Sequence, residues 1–271
     1  MRQPTNRFIY GVSICLAYLM FGLLMLPLLG LLTATTPAQW LTSVKQPIFL
    51  PALWLSLQTT CWSMCIILIG GTPLAWMLAK SATRRAQLAT FFVDVPLVLP
   101  PAVVGIGLLY TFGPSGWLGS WLNDWGLRVP FTTTAVVLAQ VMVSAPFYIQ
   151  SATASFRRLH PDLLLVGRTL GHTPTGVFFR IALPLSLPGL LAGAALSWGR
   201  ALGEFGATLL FAGNLPGTTQ TMPLAIYMAL ESDVHVAIAL SLFLAACGIF
   251  TLFALRVFPT YFWRNTEEVQ Q

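Results

Sequence analysis

Charged residues are scarce in this 271-residue chain, where only 8% of positions are Asp, Glu, Lys or Arg. A soluble globular domain carries about 25% charged residues, so this chain has too few to cover the surface of a soluble protein of its size. Hydrophobic residues make up 56% of the sequence. The composition therefore excludes an ordinary soluble protein and indicates that lipid surrounds much of the surface.

Patterns that mark metal or catalytic sites are also missing. The cysteines all fall within apolar runs, where they are expected to pack as small apolar residues. No histidine stands in a metal-ligand pattern, and neither a His-Glu-x-x-His motif nor a phosphate-binding P-loop occurs. We therefore predict no metal site, no catalytic site and no cofactor bound by this chain. The residues concerned are His160, His172, His235, Cys15, Cys61, Cys65 and Cys247.

Long apolar stretches dominate what is present. A membrane-spanning helix needs about 20 mostly apolar residues, and six stretches qualify. Their apolar residues are continuous rather than alternating, which favours helices over a β-barrel. The first run is too long for a signal peptide and is interpreted as a retained helix. We predict an all-α, polytopic membrane protein with about six transmembrane helices, at 8–32, 53–79, 90–112, 132–156, 184–212 and 234–258.

Basic residues are distributed unevenly between the loops on the two sides. One side carries only Lys45 and Arg128, whereas the termini and the remaining loops carry eleven, and Arg200 lies inside a span. Cytoplasmic loops of membrane proteins are enriched in Lys and Arg, so both termini are predicted to be cytoplasmic. The net charge of +6 is thus explained by topology, and no nucleic-acid partner is expected.

The spans suggest three segments. Residues 1–52 would contain the first transmembrane helix and an external loop. Residues 53–258 would form a core of five transmembrane helices with a cytoplasmic loop at 157–183. Residues 259–271 would form a cytoplasmic tail.

Two of the predicted spans contain helix-disrupting or charged residues. Pro100 and Pro101 interrupt the third span, and glycines, among them Gly203 and Gly206, are frequent in the fifth. These residues fit either simple packing kinks or irregular helices along a translocation path.

Charged residues within the spans are few. Arg200 and Glu204 are four residues apart, so on a helix they would share a face and could pair. The pair could be structural, or it could be part of a pore or gate; a charge at this depth is costly. Asp94, near the inner end of the third span, is expected to have a structural role at the membrane interface and could face Arg84 or Arg85.

The cytoplasmic loop has an apolar face of its own. Leu159, Leu163, Val166 and Leu170 recur at helical spacing, and Gly171 is a stop signal. An exposed apolar face rimmed by arginines is typical of a partner site, and a helix lying in the membrane interface is the alternative.

The same loop resembles that of binding-protein-dependent ATP-binding-cassette permeases, whose pattern is Glu-Ala-Ala, three residues, Gly, nine residues, Ile-x-Leu-Pro. Here Gly171 is followed after nine residues by Ile181-Ala182-Leu183-Pro184. The Glu-Ala-Ala positions differ, since they hold Leu165, Val166 and Gly167. The resemblance implies a type I importer permease fold and a coupling helix that docks on an ATPase through Leu163, Val166, Arg168, Leu170, Gly171 and His172.

Two further stretches resemble the molybdate permease branch. They are 96–105, with its three prolines, and 199–223, which contains Gly-Arg-Ala-Leu-Gly-Glu-Phe-Gly-Ala-Thr. Sulfate and thiosulfate permeases are similar in the Gly-Glu-Phe-Gly-Ala part and remain an alternative. A secondary transporter or channel is the alternative from a different class.

The resemblance implies an importer of molybdate or tungstate in a bacterial or archaeal plasma membrane. The expected partners are a second copy of this chain, two ATPase subunits that use ATP, membrane lipid, and a periplasmic or lipid-anchored oxyanion-binding protein touched by Asn214. The residues expected at the pore or gate are Pro100, Pro101, Arg200, Gly203, Glu204 and Gly206.

Overall fold

The computed structural model describes the backbone of residues 5–81 and 83–267, and the side chains of 10–254 apart from positions 37 and 82. Within those backbone ranges all regular structure is helical and no strand occurs. A π-helical turn, Phe178–Ala182, joins the helix Pro174–Val177 to the helix Leu183–Leu202. The helices are α1 (Thr5–Thr33), α2 (Pro37–Val44), α3 (Phe49–Lys80), α4 (Arg84–Val98), α5 (Pro101–Phe112), α6 (Trp117–Asp124), α7 (Thr133–Arg157), α8 (Pro161–Thr169), α9 (Pro174–Val177), α10 (Leu183–Leu202), α11 (Gly206–Ala212), α12 (Met222–Ser232) and α13 (Val234–Glu267).

Several helices begin where the sequence supplies a cap or a proline. The hydroxyl of Thr83 accepts the N–H of Ala86 at the start of α4, and Thr132 does the same for α7. Helices α5 and α8 begin with Pro101 and Pro161, whose missing N–H would have no partner within the helix. These local signals fix where the chain enters each helix.

The prediction of about six spans is confirmed. Five helical stretches are long and apolar enough to cross a membrane, and α4 with α5 forms a sixth, bent unit. The third predicted span, 90–112, is not one helix, because α4 and α5 meet at an angle of 111°. Leu99 precedes Pro100 and adopts an extended conformation, as proline disfavours helix in the preceding residue. The five stretches are Tyr10–Thr33, Phe49–Lys80, Thr133–Arg157, Pro174–Leu202 and Val234–Ala254.

Helices α3 and α7 run parallel, which shows that the bent unit makes one crossing. Near the start of α7, the hydroxyl of Ser63 donates to the carbonyl of Val137 at 3.2 Å. Near its end, Arg157 Nη2 donates to the carbonyl of Leu78 at 3.4 Å. Two parallel spanning helices need a return crossing between them, so segment 81–132 crosses the membrane once.

The fifth predicted span, 184–212, is also broken. The helix starts earlier, at Pro174, and continues through the π-helical turn to Leu202. Gly203 caps its end, and α11 starts only at Gly206. The second half of the predicted cytoplasmic loop is thus the base of a transmembrane helix.

Helix α7 lies at the centre of the core, between α3 and α10. Small polar residues join α7 to the antiparallel α10: the Ser197 hydroxyl donates to the Ser144 carbonyl at 2.8 Å. A Cβ on Gly193 would come within 2.6 Å of the Ser151 Cβ, so the two backbones are in close approach. Helix α1, by contrast, has only exposed or half-exposed side chains between Tyr10 and Thr33.

Candidate translocation gate and coupling helix

Two helix breaks lie side by side inside the membrane. Helix α5 starts at Pro101 and α11 at Gly206, and a Cβ on Gly206 would lie 3.2 Å from the Pro101 Cβ. At the C-terminal ends of α5 and α11, the ring centroids of Phe112 and Phe211 are 6.0 Å apart. The two short helices therefore run parallel from a common level, and two of the predicted gate residues are in contact.

Gly105 allows this close approach. A Cβ at this position would lie 2.8 Å from the carbonyl oxygen and 2.9 Å from the Cα of Ala207. Both are backbone atoms of α11, which cannot move aside as a flexible side chain could. The proline-rich stretch indicated an irregular helix, but nothing in it identified Ala207 as the neighbour.

Glu204 lies in the break between α10 and α11 and contacts the end of each of these helices. Its carboxylate is buried, with 1% of the residue exposed. One oxygen, Oε1, accepts the N–H of Ala207 at 2.7 Å, and Oε2 lies 2.7 Å from Arg200 Nη2. The pairing of Arg200 with Glu204, which the sequence left open, is therefore present. The expectation of a shared helix is wrong, because α10 ends at Leu202 and Glu204 lies in the break.

The ion pair lies within the transmembrane region. Ser197 bonds to Ser144, which lies near the middle of α7. Arg200 is one turn beyond Ser197 toward the N-terminal end of α7, and its side chain keeps 27% exposure. Glu204 neutralises the guanidinium, but the guanidinium is partly exposed, and its N–H donors that do not face Glu204 could bind a passing anion for a short time.

The remaining predicted gate residues shape the backbone. Pro100 precedes the first residue of α5 and has the extended geometry of an N-cap. Gly203 is the C-cap of α10, and its N–H donates to the carbonyl of Gly199 at 3.2 Å. Both positions therefore end or begin helices at the level where the two breaks meet.

Asp94 does not face the arginines expected from the sequence. Its Oδ1 accepts the side-chain amide of Gln150 at 2.7 Å. No ion pair of Asp94 with Arg84 or Arg85 is found in the part of the chain with described side chains. The contact holds α4 against α7, and sequence spacing alone could not show it.

The coupling segment forms a short exposed helix, α8. Leu163, Val166 and Leu170 are exposed to 47%, 54% and 75%. Gly171 ends the helix as predicted, with φ +86°. Leu159 lies before the helix and packs against the core, so it is not part of the exposed face.

One side of α8 is anchored to the base of the long helix that leads to the gate. Gly167 is buried, and a Cβ there would require the end of the Ile181 side chain to shift and would come within 3.3 Å of Val177 Cγ2. This explains why a small residue stands in this part of the coupling motif. The anchored stretch Pro174–Leu202 has 29 residues. It ends at the break that holds Glu204.

On the opposite side of the protein, Asn214 lies in the loop after α11. It is half-buried, and its Oδ1 has no hydrogen-bond partner among the described residues. Across the 10–254 side chains that are described, no cluster of three His, Cys, Asp or Glu residues could hold a metal ion.

Comparison with known protein families agrees with these features, namely the broken helices, the exposed helix α8 and the six spans. The family described as "Binding-protein-dependent transport system inner membrane component" matches residues 71–260. The chain belongs to this family. It is therefore a transport component embedded in a membrane, and the family match includes both the gate and α8.

Named relatives extend the match beyond the family domain. The Mycobacterium tuberculosis protein "Molybdenum transport system permease protein ModB" is 39% identical over 246 residues, covering 90% of this chain and 92% of the relative. The Escherichia coli K12 protein of the same name is 37% identical over 182 residues, covering 67% and 80%.

The fold of this permease is also found among solved structures. A bacterial transporter for import of the polysaccharide alginate aligns with TM-score 0.73, over 93% of this chain and 94% of that one. Sequence identity is only 18%, so this likeness concerns the fold alone.

Proposed function

We propose that this chain is the permease subunit of an ATP-driven importer of molybdate or tungstate. The observation that carries the proposal is the 39% identity to a molybdenum transport permease along nearly the whole chain. The Arg200–Glu204 pair at two meeting helix breaks supports it, because irregular helices inside a membrane protein line cavities or paths.

A working transporter would contain two copies of this chain and two ATPase subunits. Each α8 would dock on an ATPase through Leu163, Val166, Arg168, Leu170, Gly171 and His172. ATP hydrolysis would take place on those partner subunits. The exposed apolar side chains of α8 support this docking, since an apolar face outside the membrane favours a protein partner.

Movement of α8 would be transmitted through the long helix Pro174–Leu202 to the residues of the gate. The buried contact of Gly167 with Ile181 ties α8 to its base. Arg200 and Glu204 lie at its far end, where α5 packs on α11. Tilting this helix would separate or close the paired breaks and so open or close the pore.

The oxyanion would arrive from a binding protein outside the cell, in the periplasm or anchored to lipid. Asn214 and its loop lie on the side opposite α8 and would contact that protein. Both termini and α8 would then be cytoplasmic, and the membrane would be a bacterial or archaeal plasma membrane. The distribution of basic residues supports this orientation.

Uptake into proteoliposomes tests the proposal. The permease is reconstituted with its ATPase and binding protein, and accumulated molybdenum is measured by mass spectrometry. We expect uptake that requires ATP and is inhibited by tungstate but not by excess sulfate. Uptake without ATP, or competition by sulfate as strong as by tungstate, would contradict the proposal.

A further inference from the structure

A large crevice opens on the side of the protein opposite α8. Its volume is about 880 Å³. It lies between the chain entering α3, the loop after α11, and the turn from α12 to α13. The residues that matter for its chemistry are Gln220, Glu231 and Asp233.

Gln220 is the polar group at the base of the crevice. Only 5% of Gln220 is exposed, and its side-chain amide has no hydrogen-bond partner among the described residues. Gln140, another buried amide, instead accepts from Ser63 at 2.9 Å and donates to Thr60 at 3.4 Å. The Gln220 amide lines the open crevice, so its donors and its acceptor are available there to a molecule that enters. This points to a polar ligand.

The rim of the crevice is acidic. Glu231 and Asp233 are both exposed. Asp233 uses Oδ1 to accept the N–H of His235 at 2.9 Å, which leaves its second oxygen available. Neither carboxylate forms an ion pair with any residue whose side chain is described. The crevice would therefore repel an oxyanion and attract a cation.

We infer that this crevice receives a lysine or arginine side chain of the oxyanion-binding protein during docking. The inference rests on the proposed function and assigns a docking site for its external partner. Two carboxylates and one amide oxygen supply the acceptors that an ammonium or guanidinium group requires. The volume is also large enough for a long side chain and the backbone that carries it.

This arrangement separates docking from substrate passage. The acidic crevice lies at the turn between α12 and α13, whereas Arg200, whose exposed N–H donors could bind the oxyanion, lies deeper, at the break after α10. Complementary charge at the rim would raise the docking rate and align the binding protein without trapping its anion.

The test measures docking on the complete transporter, with the permease and ATPase in lipid nanodiscs. Binding of the purified, molybdate-loaded binding protein is followed by interferometry at several salt concentrations. We compare Glu231→Gln, Asp233→Asn and the double variant. Asp124→Asn is the matched control, because Asp124 is an exposed acid on the same side but outside the crevice.

Each carboxylate variant is expected to weaken docking about two- to fivefold, and the double variant about tenfold, with a smaller salt dependence. Asp124→Asn should bind as the wild type does. Asparagine at position 233 can still cap α13, so folding is expected to be kept. ATP hydrolysis without binding protein should be unchanged in every variant.

Wild-type docking by the double variant would overturn the inference. A loss of the permease dimer, seen by mass photometry, would also overturn it, because the crevice would then serve a second copy of the chain. If the wild-type transporter binds the binding protein and imports molybdate, the proposed function stands in either case. A wild-type transporter that imports no molybdate would overturn both.

Discussion

At the scale of single residues, Glu204 makes the most consequential contacts. Its carboxylate neutralises Arg200 and also accepts the N–H of Ala207. Removing it leaves a guanidinium and a backbone donor without partners in a mostly apolar region. Such losses cost more than a surface ion pair because water cannot replace the missing acceptor.

We expect Glu204→Ala to lower the free energy of unfolding by about 2–3 kcal/mol, measured by thermal or denaturant unfolding in detergent. Glu204→Gln should lose less, since its amide oxygen can still accept the Ala207 N–H. The control is Asp94→Ala, which removes a less buried carboxylate bonded to Gln150. Equal losses for Glu204→Ala and Asp94→Ala would contradict the role given to Glu204.

Gly105 and Gly107 form a natural pair for testing the contact between α5 and α11. A Cβ at Gly105 would lie 2.8 Å from the Ala207 carbonyl oxygen, whereas a Cβ at Gly107 meets nothing within 4 Å. Gly105→Ala should destabilise the protein by about 1–3 kcal/mol and reduce molybdate uptake. Gly107→Ala should be neutral or stabilising by up to about 1 kcal/mol. Similar behaviour of the two variants in unfolding and uptake would show that α5 and α11 are not tightly packed.

Sequence spacing showed that Arg200 and Glu204 could pair, because a separation of four residues brings side chains together even where the helix is ending. It did not predict Asp94 with Gln150, since that contact joins residues far apart in the chain. Local patterns report local geometry, and long-range partners depend on how the helices pack.

At the scale of elements, the two breaks differ in how visible they are in the sequence. Pro100 and Pro101 clearly interrupt the third span, although the size of the bend depends on packing against α7 and α11. The break at Gly203 lies in an apolar stretch that continues on both sides. Hydropathy alone therefore merged α10 and α11 into one predicted span.

The docking helix α8 supplies the prediction at this scale. Gly171 has φ +86°, which only glycine adopts without strain, and Gly126 at the end of α6 has φ +74°. Gly171→Val should reduce ATP hydrolysis stimulated by the binding protein at least severalfold, because it distorts the end of α8. Gly126→Val carries similar strain on the other side of the membrane and should leave coupling intact.

Paired ATPase assays with and without binding protein would measure this difference. Normal stimulation in Gly171→Val would argue against α8 as the coupling element. Loss of stimulation in both variants would point instead to a general folding defect.

At the scale of the whole molecule, composition and hydropathy predicted the all-helical membrane class and the number of crossings. The parallel packing of α3 and α7 then shows that the bent unit of α4 and α5 provides the sixth membrane crossing. The partners and the direction of transport are not features of a single chain. They remain predictions that depend on α8 facing the cytoplasm.

Cysteine labelling in intact spheroplasts tests that orientation most directly. The background has Cys15, Cys61, Cys65 and Cys247 replaced by alanine, and Leu170→Cys or Asp124→Cys is added. Because Leu170 and Asp124 are both exposed, access is limited only by the side on which each lies. The account predicts that a membrane-impermeant maleimide labels Asp124→Cys from outside and labels Leu170→Cys only after the membrane is opened. Labelling of Leu170→Cys in intact spheroplasts would place α8 outside the cell and contradict the account.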